Sequence, residues 1–360
     1  MIKVLWISNI PSPYKIELMN MLGRKVDLTS YFEYAKANDR DDKWYGKEFD
    51  NFRYKYLENK WFVEILKLFS SDYDVLINSD YSSIICILAT IIFRIKGKKV
   101  VLQADGGIPV NRGIIMNKMI SMVMKLSNAY LSSGYETDKY FNYYGINKNI
   151  MHYRFSSLNK IDIDNNKKYY ENKCELKNKY NLNNKKVFLS VGQPIHRKGF
   201  DILIKAYDKI KTDNTILLIV GGKLQEDNLK LIDELKIDSI KNIEFLVKED
   251  LSIVYGLSDY FVLATREDIW GLVINEAMSF GLPIISTNRC VAAVEFNKIC
   301  NNAKIVEVED IDGLANSMQK LLTDDNYAKI LGGRSIAGIK DFVIENTAKD
   351  YFNAIKEINK

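Results

Sequence analysis

The sequence predicts an α/β protein made of two doubly wound, Rossmann-like domains that face each other across a cleft. Short apolar runs alternate with helix-length amphipathic stretches along the whole chain. Several of these runs are apolar throughout, as expected of strands buried on both faces of a parallel sheet. The alternation pauses once, over a polar and charged stretch at residues 160–184, and then restarts. One βα array therefore follows another. A length of 360 residues, more than one core usually serves, agrees with two domains.

In the first array the expected strands are Ile2–Ser8, Val26–Phe32, Phe52–Leu57, Asp74–Ser79, Lys99–Ala104, Ala129–Ser133 and Asn149–Phe155. Between them, Pro13–Leu22 opens on proline and stops at Gly23, the punctuation of a helix. The apolar run Ile84–Phe93 lies in a second helix, Ser82–Lys96, that covers the sheet. The second array offers Lys186–Val191, Thr215–Gly221, Ile243–Val247, Tyr260–Thr265, Pro283–Thr287 and Ala303–Val308. A final helix, Asn346–Ile358, places Ala348, Tyr351, Phe352 and Ile355 at helical spacing. The expected domains are 1–170 and 185–345, with a linker at 171–184 and a terminal segment, 346–360, that packs back on the first domain.

Composition excludes several classes. Only His152 and His196 are histidines, so a His-rich metal site is ruled out. Cys86, Cys174, Cys290 and Cys300 form no CxxC pair, which fits a reducing cytoplasm. No signal peptide is read before the first strand. The longest apolar run is far short of the ~20 residues of a spanning helix, so the expected location is cytoplasmic, soluble or peripheral on the inner membrane face. The first 184 residues carry 28 Lys and Arg against 20 Asp and Glu, while the remainder is slightly acidic. A basic first half suits an anionic membrane surface or a phosphorylated acceptor, and equally a solvated, lysine-rich surface. Nucleic acid is not an expected partner.

The turn after the first strand, Ser8–Lys15, holds no glycine, which argues against a nicotinamide or flavin site, and no P-loop occurs. The second array opens differently. Its first strand is followed by Gly192, then by Arg197, Lys198 and Gly199. A glycine turn with two adjacent cations makes a diphosphate clamp, or else a basic turn before a surface helix. Downstream, Asp268 and Glu276 stand eight positions apart around Gly271 and Leu272, which open a helix ended by Gly281 and Pro283. Unpaired N–H groups at that helix start can hold a phosphate. The flanking carboxylates can accept hydrogen bonds from sugar and ribose hydroxyls. Asp268 also fits a capping box with Thr265, and Glu276 a surface position on an amphipathic helix.

These residues resemble the E-x7-E signature of the retaining glycosyltransferases of family 4, which have the GT-B fold. Gly271-Leu272-Val273, Glu276-Ala277-Met278, Gly281 and Pro283 match it, and Lys198-Gly199 match the family's phosphate loop. The wording from Thr265 to Met278 is similar to a bacterial polysaccharide-assembly subgroup. Two positions depart: Asp268 stands where the first Glu is usual, and Gln193 where an arginine often follows the loop glycine. The resemblance implies that Glu276 binds the nucleotide's ribose and Asp268 the transferred sugar. Arg197 and Lys198 then hold the diphosphate with Gly192, Gly199 and the N–H groups of Gly271 and Leu272, and the base lies near Val247. The co-substrate is a nucleotide-diphosphate sugar, and neither a cofactor nor a metal is expected.

The expected acceptor is a glycan, lipid-linked, in surface polysaccharide assembly. Asp105 ends a strand of the first array. Its carboxylate can orient an acceptor hydroxyl, with Gly106 and Gly107 allowing close approach, or the three can form a tight turn. In the stretch Gly113–Leu126, Met116, Met119, Met122 and Met124 are interleaved with Lys118 and Lys125, which suits a membrane surface or a polyprenyl-linked acceptor, or else a core helix with a polar edge. Asp162-Ile-Asp164 and Asp310-Ile-Asp312 imitate a metal-binding DxD and read as surface turns. Two other classes remain open: a catalytically silent GT-B binding partner and a nucleotide-sugar epimerase.

Overall fold

A computed structural model describes residues 1–36 and 48–360. The first sheet contains β1 (Lys3–Ser8), β2 (Asp27–Phe32), β3 (Arg53–Tyr56), β4 (Val75–Asn78), β5 (Lys99–Ala104), β6 (Ala129–Ser132) and β7 (Ile150–His152). Their spatial order is β3-β2-β1-β4-β5-β6-β7, and every pairing is parallel. The second sheet contains β8 (Lys186–Val191), β9 (Thr215–Val220), β10 (Ile240–Ile243), β11 (Tyr260–Leu263), β12 (Ile284–Thr287) and β13 (Ala303–Val306). Its order is β10-β9-β8-β11-β12-β13, again parallel.

In both sheets the chain winds outward from the first strand, then returns to its other side. The crossover direction therefore reverses between β1 and β4, and between β8 and β11. Loops at the carboxyl ends of strands on either side of such a point splay apart and leave a crevice. This is why residues far apart in sequence, at the ends of β8 and β11, meet in the second unit.

Two compact units divide the chain: Met1–Ser157 with Val343–Lys360, and Leu158–Phe342. The stretch that the sequence marks as a connection contributes the helices Lys160–Glu171 and Lys173–Lys179 to the second unit. Asn166 donates to Ser279 Oγ at 2.9 Å, and Lys177 pairs with Asp259. The closing helix, Ile344–Ile358, belongs to the first unit. There Tyr351 stacks on Trp6 at a centroid distance of 5.0 Å. Asp350 takes both Arg154 Nε and Nη2, at 2.9 and 2.6 Å.

Two local expectations need correction. The strand expected at Ile243–Val247 lies earlier, at Ile240–Ile243. It pairs with β9 only as far as Val220; beyond that, the N–H of Gly221 caps the carbonyls of Ile243 and Glu244. Apolarity alone drew the expected strand past its last partner. The two DxD sequences are not turns either. Asp162 shares a capping box with Asn159 at the start of its helix, and Asp310 caps the helix Ile311–Thr323 through Gly313 N at 2.8 Å. Short acidic side chains before a helix satisfy its orphan N–H groups.

Candidate active site

The loop after β8 is shaped by two close approaches. A Cβ on Gly192 would lie 3.3 Å from Lys198 Cε, so the absent side chain leaves the lysine its path. Gly199 has φ +66°, and a Cβ there would meet the Ala264 carbonyl at 2.0 Å. Only glycine fits both the left-handed backbone and that contact. The loop is thus pressed against the end of β11, and the helix Phe200–Asp208 follows at once.

The segment after β11 completes the arrangement. Thr265 Oγ1 donates to the Arg197 carbonyl at 2.8 Å, and Arg266 N donates to the same carbonyl at 2.8 Å. The Arg266 guanidinium grips Asp201 with two bonds of 2.8 and 2.7 Å, reaches the His196 carbonyl at 2.8 Å and pairs with Glu309. These bonds fasten the two loops together. Lys198 Nζ then pairs directly with Asp268, and Arg197 Nη1 stands 3.5 Å from the other carboxylate oxygen. Asp268 is 8% exposed, so this is a largely dehydrated ion pair. Asp268 is not a helix cap: the N-cap is Gly271, with φ +96° and no side-chain cap bond. A Cβ on Gly271 would come within 3.5 Å of the Asp268 carboxylate. The cations, the carboxylate and the start of the helix Leu272–Ser279 are therefore neighbours.

Further along this helix, Glu276 projects beside Tyr255, whose hydroxyl donates to Oε2 at 2.9 Å. The carboxylate is desolvated although the residue keeps some solvent contact, and burial raises its pKa from 4.5 to about 7. Tyr255 and Lys248 oppose that rise, and Asp162 adds to it. Trp270 supports the helix from below by donating to Asn275 Oδ1 at 2.9 Å. Val247 is exposed and precedes the helix Lys248–Leu257, which carries Tyr255.

The raised value has a consequence for stability. The folded protein holds the Glu276 proton more tightly than the unfolded chain does. Its contribution is complete below pH 4.5 and is lost as pH rises through about 7. Glu276→Gln has no charge to desolvate at any pH. Its ligand-free stability should match wild type at pH 4 and exceed it at pH 8, by on the order of 1–2 kcal/mol after allowance for solvent contact. Thermal melts at the two pH values check this; an unchanged difference would contradict it.

The first unit holds a separate polar cluster. Asp105 Oδ1 accepts from Tyr153 Oη at 2.7 Å and from Gln103, while Oδ2 accepts from Tyr14 Oη at 3.1 Å. Gln103 Oε1 in turn accepts from Ser79 Oγ at 2.8 Å. Lys15, buried close by, donates to Ser8 Oγ at 2.8 Å, and burial lowers its pKa. Both glycines are buried, and a Cβ on Gly107 would meet the Tyr140 ring at 2.5 Å, so packing against that ring also demands glycine at 107. The helix Ile114–Met124 is not a core helix. Ile115, Met119 and Met122 are 79%, 54% and 67% exposed, and only Ile120 and Met124 are buried in it.

Sequence reading did not single out Arg266, Tyr255, Gln103 or Tyr153. A lone Arg or Tyr carries no spacing signal, because its partner comes from another βα unit.

The sequence profile of the glycosyl transferases group 1 matches residues 172–336. The match falls within the second unit and spans most of it. An Escherichia coli O-antigen chain mannosyltransferase B is 26% identical over 185 residues, 49% of this chain and 48% of that protein. A Staphylococcus aureus capsular polysaccharide biosynthesis glycosyltransferase is 28% identical over 179 residues, 48% of this chain and 44% of that protein. The aligned stretches are about half the length of these relatives. Over the whole chain, the crystal structure of Anabaena HepE with UDP superposes with a TM-score of 0.78. It covers 99% of this chain and 100% of that one at 13% identity. Together with the two sheet orders, this makes the fold GT-B.

Proposed function

We propose that this chain is a retaining, metal-independent glycosyltransferase that moves a sugar from a nucleotide-diphosphate sugar to a lipid-linked glycan during surface polysaccharide assembly. The observation that carries the reading is the placing of Lys198, Arg197 and Asp268 at the start of the helix Leu272–Ser279, with Glu276 farther along it. The O-antigen and capsule relatives support the biological setting.

Breaking a sugar–phosphate bond builds negative charge on the leaving diphosphate and positive charge on the sugar. Lys198, Arg197 and the N–H groups at Gly271 and Leu272 would stabilise that diphosphate, the task a metal performs elsewhere. Asp268, already fixed by the two cations, is placed to accept from the sugar's hydroxyls. Glu276 accepts from the ribose. The leaving phosphate oxygen takes the acceptor's proton on the face it departs from, so configuration is kept. Asp105 orients the acceptor hydroxyl, held by three uncharged donors. The test is turnover of UDP-, GDP-, ADP- and dTDP-sugars in EDTA, with NMR of the product's anomeric centre. An inverted centre would remove the retaining mechanism, and turnover abolished by EDTA would remove metal independence. No turnover with any donor would favour a silent binding partner.

We further infer that the helix Ile114–Met124 rests on an anionic lipid surface. Ile114, Ile115, Met116, Met119 and Met122 are exposed beside Arg112, Lys118 and Lys125. Adaptable apolar side chains flanked by cations match the boundary between acyl chains and anionic headgroups. The protein should float with liposomes containing anionic lipid. The double variant Lys118→Glu, Lys125→Glu should lose most of that binding, since each cation near such a surface contributes about 1 kcal/mol. Flotation indifferent to the two changes would contradict the inference.

A further inference from the structure

Tyr255 is 2% exposed, with its ring stacked on Phe280 at 5.1 Å and nearly parallel, 10° between planes. Phenylalanine would pack there as well. A buried hydroxyl is costly unless it is bonded, and the partner of this one is Glu276 Oε2 at 2.9 Å. Among the described residues, Glu276 Oε1 has no hydrogen-bond partner. The carboxylate is thus held by one oxygen with the other open.

Two more charges act on it. Lys248 opens the helix that carries Tyr255, and its Nζ donates to Asp162 Oδ1 at 2.6 Å. Asp162 is itself fixed by its capping box with Asn159. The helix Lys160–Glu171 thereby offsets part of the cationic charge that Lys248 would otherwise present to Glu276. The other elements packed on the Glu276 helix are Val291–Cys300, Asp325–Ile339 and β12; no ionisable group on them is among those acting on Glu276.

We propose that Tyr255 is a positioning residue for the donor nucleotide. Its phenol fixes one oxygen of Glu276 so that the other meets the ribose, and the Lys248–Asp162 pair sets how much positive charge the carboxylate feels. This rests on the donor-site reading above. It extends that reading to three residues outside the E-x7-E segment, and gives the Asp162 of the first DxD sequence a role beyond its helix.

The variants act in opposite directions. Tyr255→Phe removes a donor to the ionised carboxylate, so nucleotide affinity should need a higher pH to reach its plateau. Lys248→Met should do the same. Asp162→Asn removes a negative charge and releases Lys248, so the plateau should be reached at lower pH. At pH 6, Tyr255→Phe should weaken binding about tenfold and Asp162→Asn should strengthen it modestly; by pH 8.5 Lys248→Met and Asp162→Asn should approach wild type, while Tyr255→Phe keeps the part of its loss that comes from the unfastened carboxylate. The measurement is calorimetric affinity from pH 5.5 to 8.5 for whichever of UDP, GDP, ADP and dTDP binds. Each variant is compared with wild type on the same nucleotide, so that the phosphate's own ionisation cancels. Profiles that fall in parallel at every pH, or midpoints that move in the same direction in Tyr255→Phe and Asp162→Asn, would overturn the inference. If Tyr255→Phe fails to fold, the Lys248→Met and Asp162→Asn pair decides by the same criterion. Binding untouched by Glu276→Ala would instead overturn the donor-site reading itself.

Discussion

Lys198→Met is expected to lower turnover by about two to three orders of magnitude, with a much smaller loss of nucleotide affinity. The lysine side chain is 11% exposed and faces an aspartate side chain that is 12% exposed. In this low-dielectric setting a fixed cation acts far more strongly than it would in water. Charge on the diphosphate grows as the sugar leaves, so the lysine is worth most in the transition state, and removing one such donor typically costs about 2.7–4 kcal/mol. Structure alone could mimic the loss, because Asp268 would remain buried with only Arg197 at 3.5 Å. Breaking a buried pair from one side is destabilising. The double variant Lys198→Met, Asp268→Asn separates the two effects. It should recover the melting temperature; turnover also loses the Asp268 contact with the sugar, so only its recovery is decisive. Recovery of turnover along with stability would mean that the lysine only neutralises Asp268.

The second large effect is expected at Glu276→Ala. The carboxylate should hold a ribose hydroxyl in a partly dehydrated site, and hydrogen bonds to charged groups contribute about 1.5–3 kcal/mol each. Truncation also leaves the Tyr255 hydroxyl without its acceptor. Nucleotide affinity at pH 8, where Glu276 is mainly ionised, should fall by about 10- to 150-fold. The ligand-free protein should lose little stability, because the variant also removes the cost of that buried charge. A variant that unfolds as readily as it loses nucleotide would indicate a packing role instead.

Much of this arrangement was legible in the residues because it depends on local backbone demands. Gly192 and Gly199 mark a glycine turn after the first strand of the second array, and the run from Gly271 to Pro283 states where a helix begins and ends. The parallel order followed from continuous apolar strands and from the restart of the pattern. What could not be read were pairings across βα units. Lys198 meets Asp268 across 70 residues, and Arg266 reaches Asp201 across 65. Such contacts arise only once β8 and β11 lie side by side. Strand limits were misread at Ile240–Ile243 because a strand ends where its neighbour stops pairing, a fact that the apolar residues Phe245–Val247 do not reveal. The methionines of Ile114–Met124 were ambiguous for a related reason: the same spacing serves a core or a lipid surface, and only the packed fold shows which side is covered.

The most direct test of the donor site is calorimetric titration of UDP, GDP, ADP and dTDP, with EDTA present, into wild type and Glu276→Ala at pH 8. The site described above predicts that one nucleotide binds tightly without metal and that the variant loses it. Binding of none, or binding that survives the substitution, would contradict the placement of the ribose carboxylate and the reading built on it.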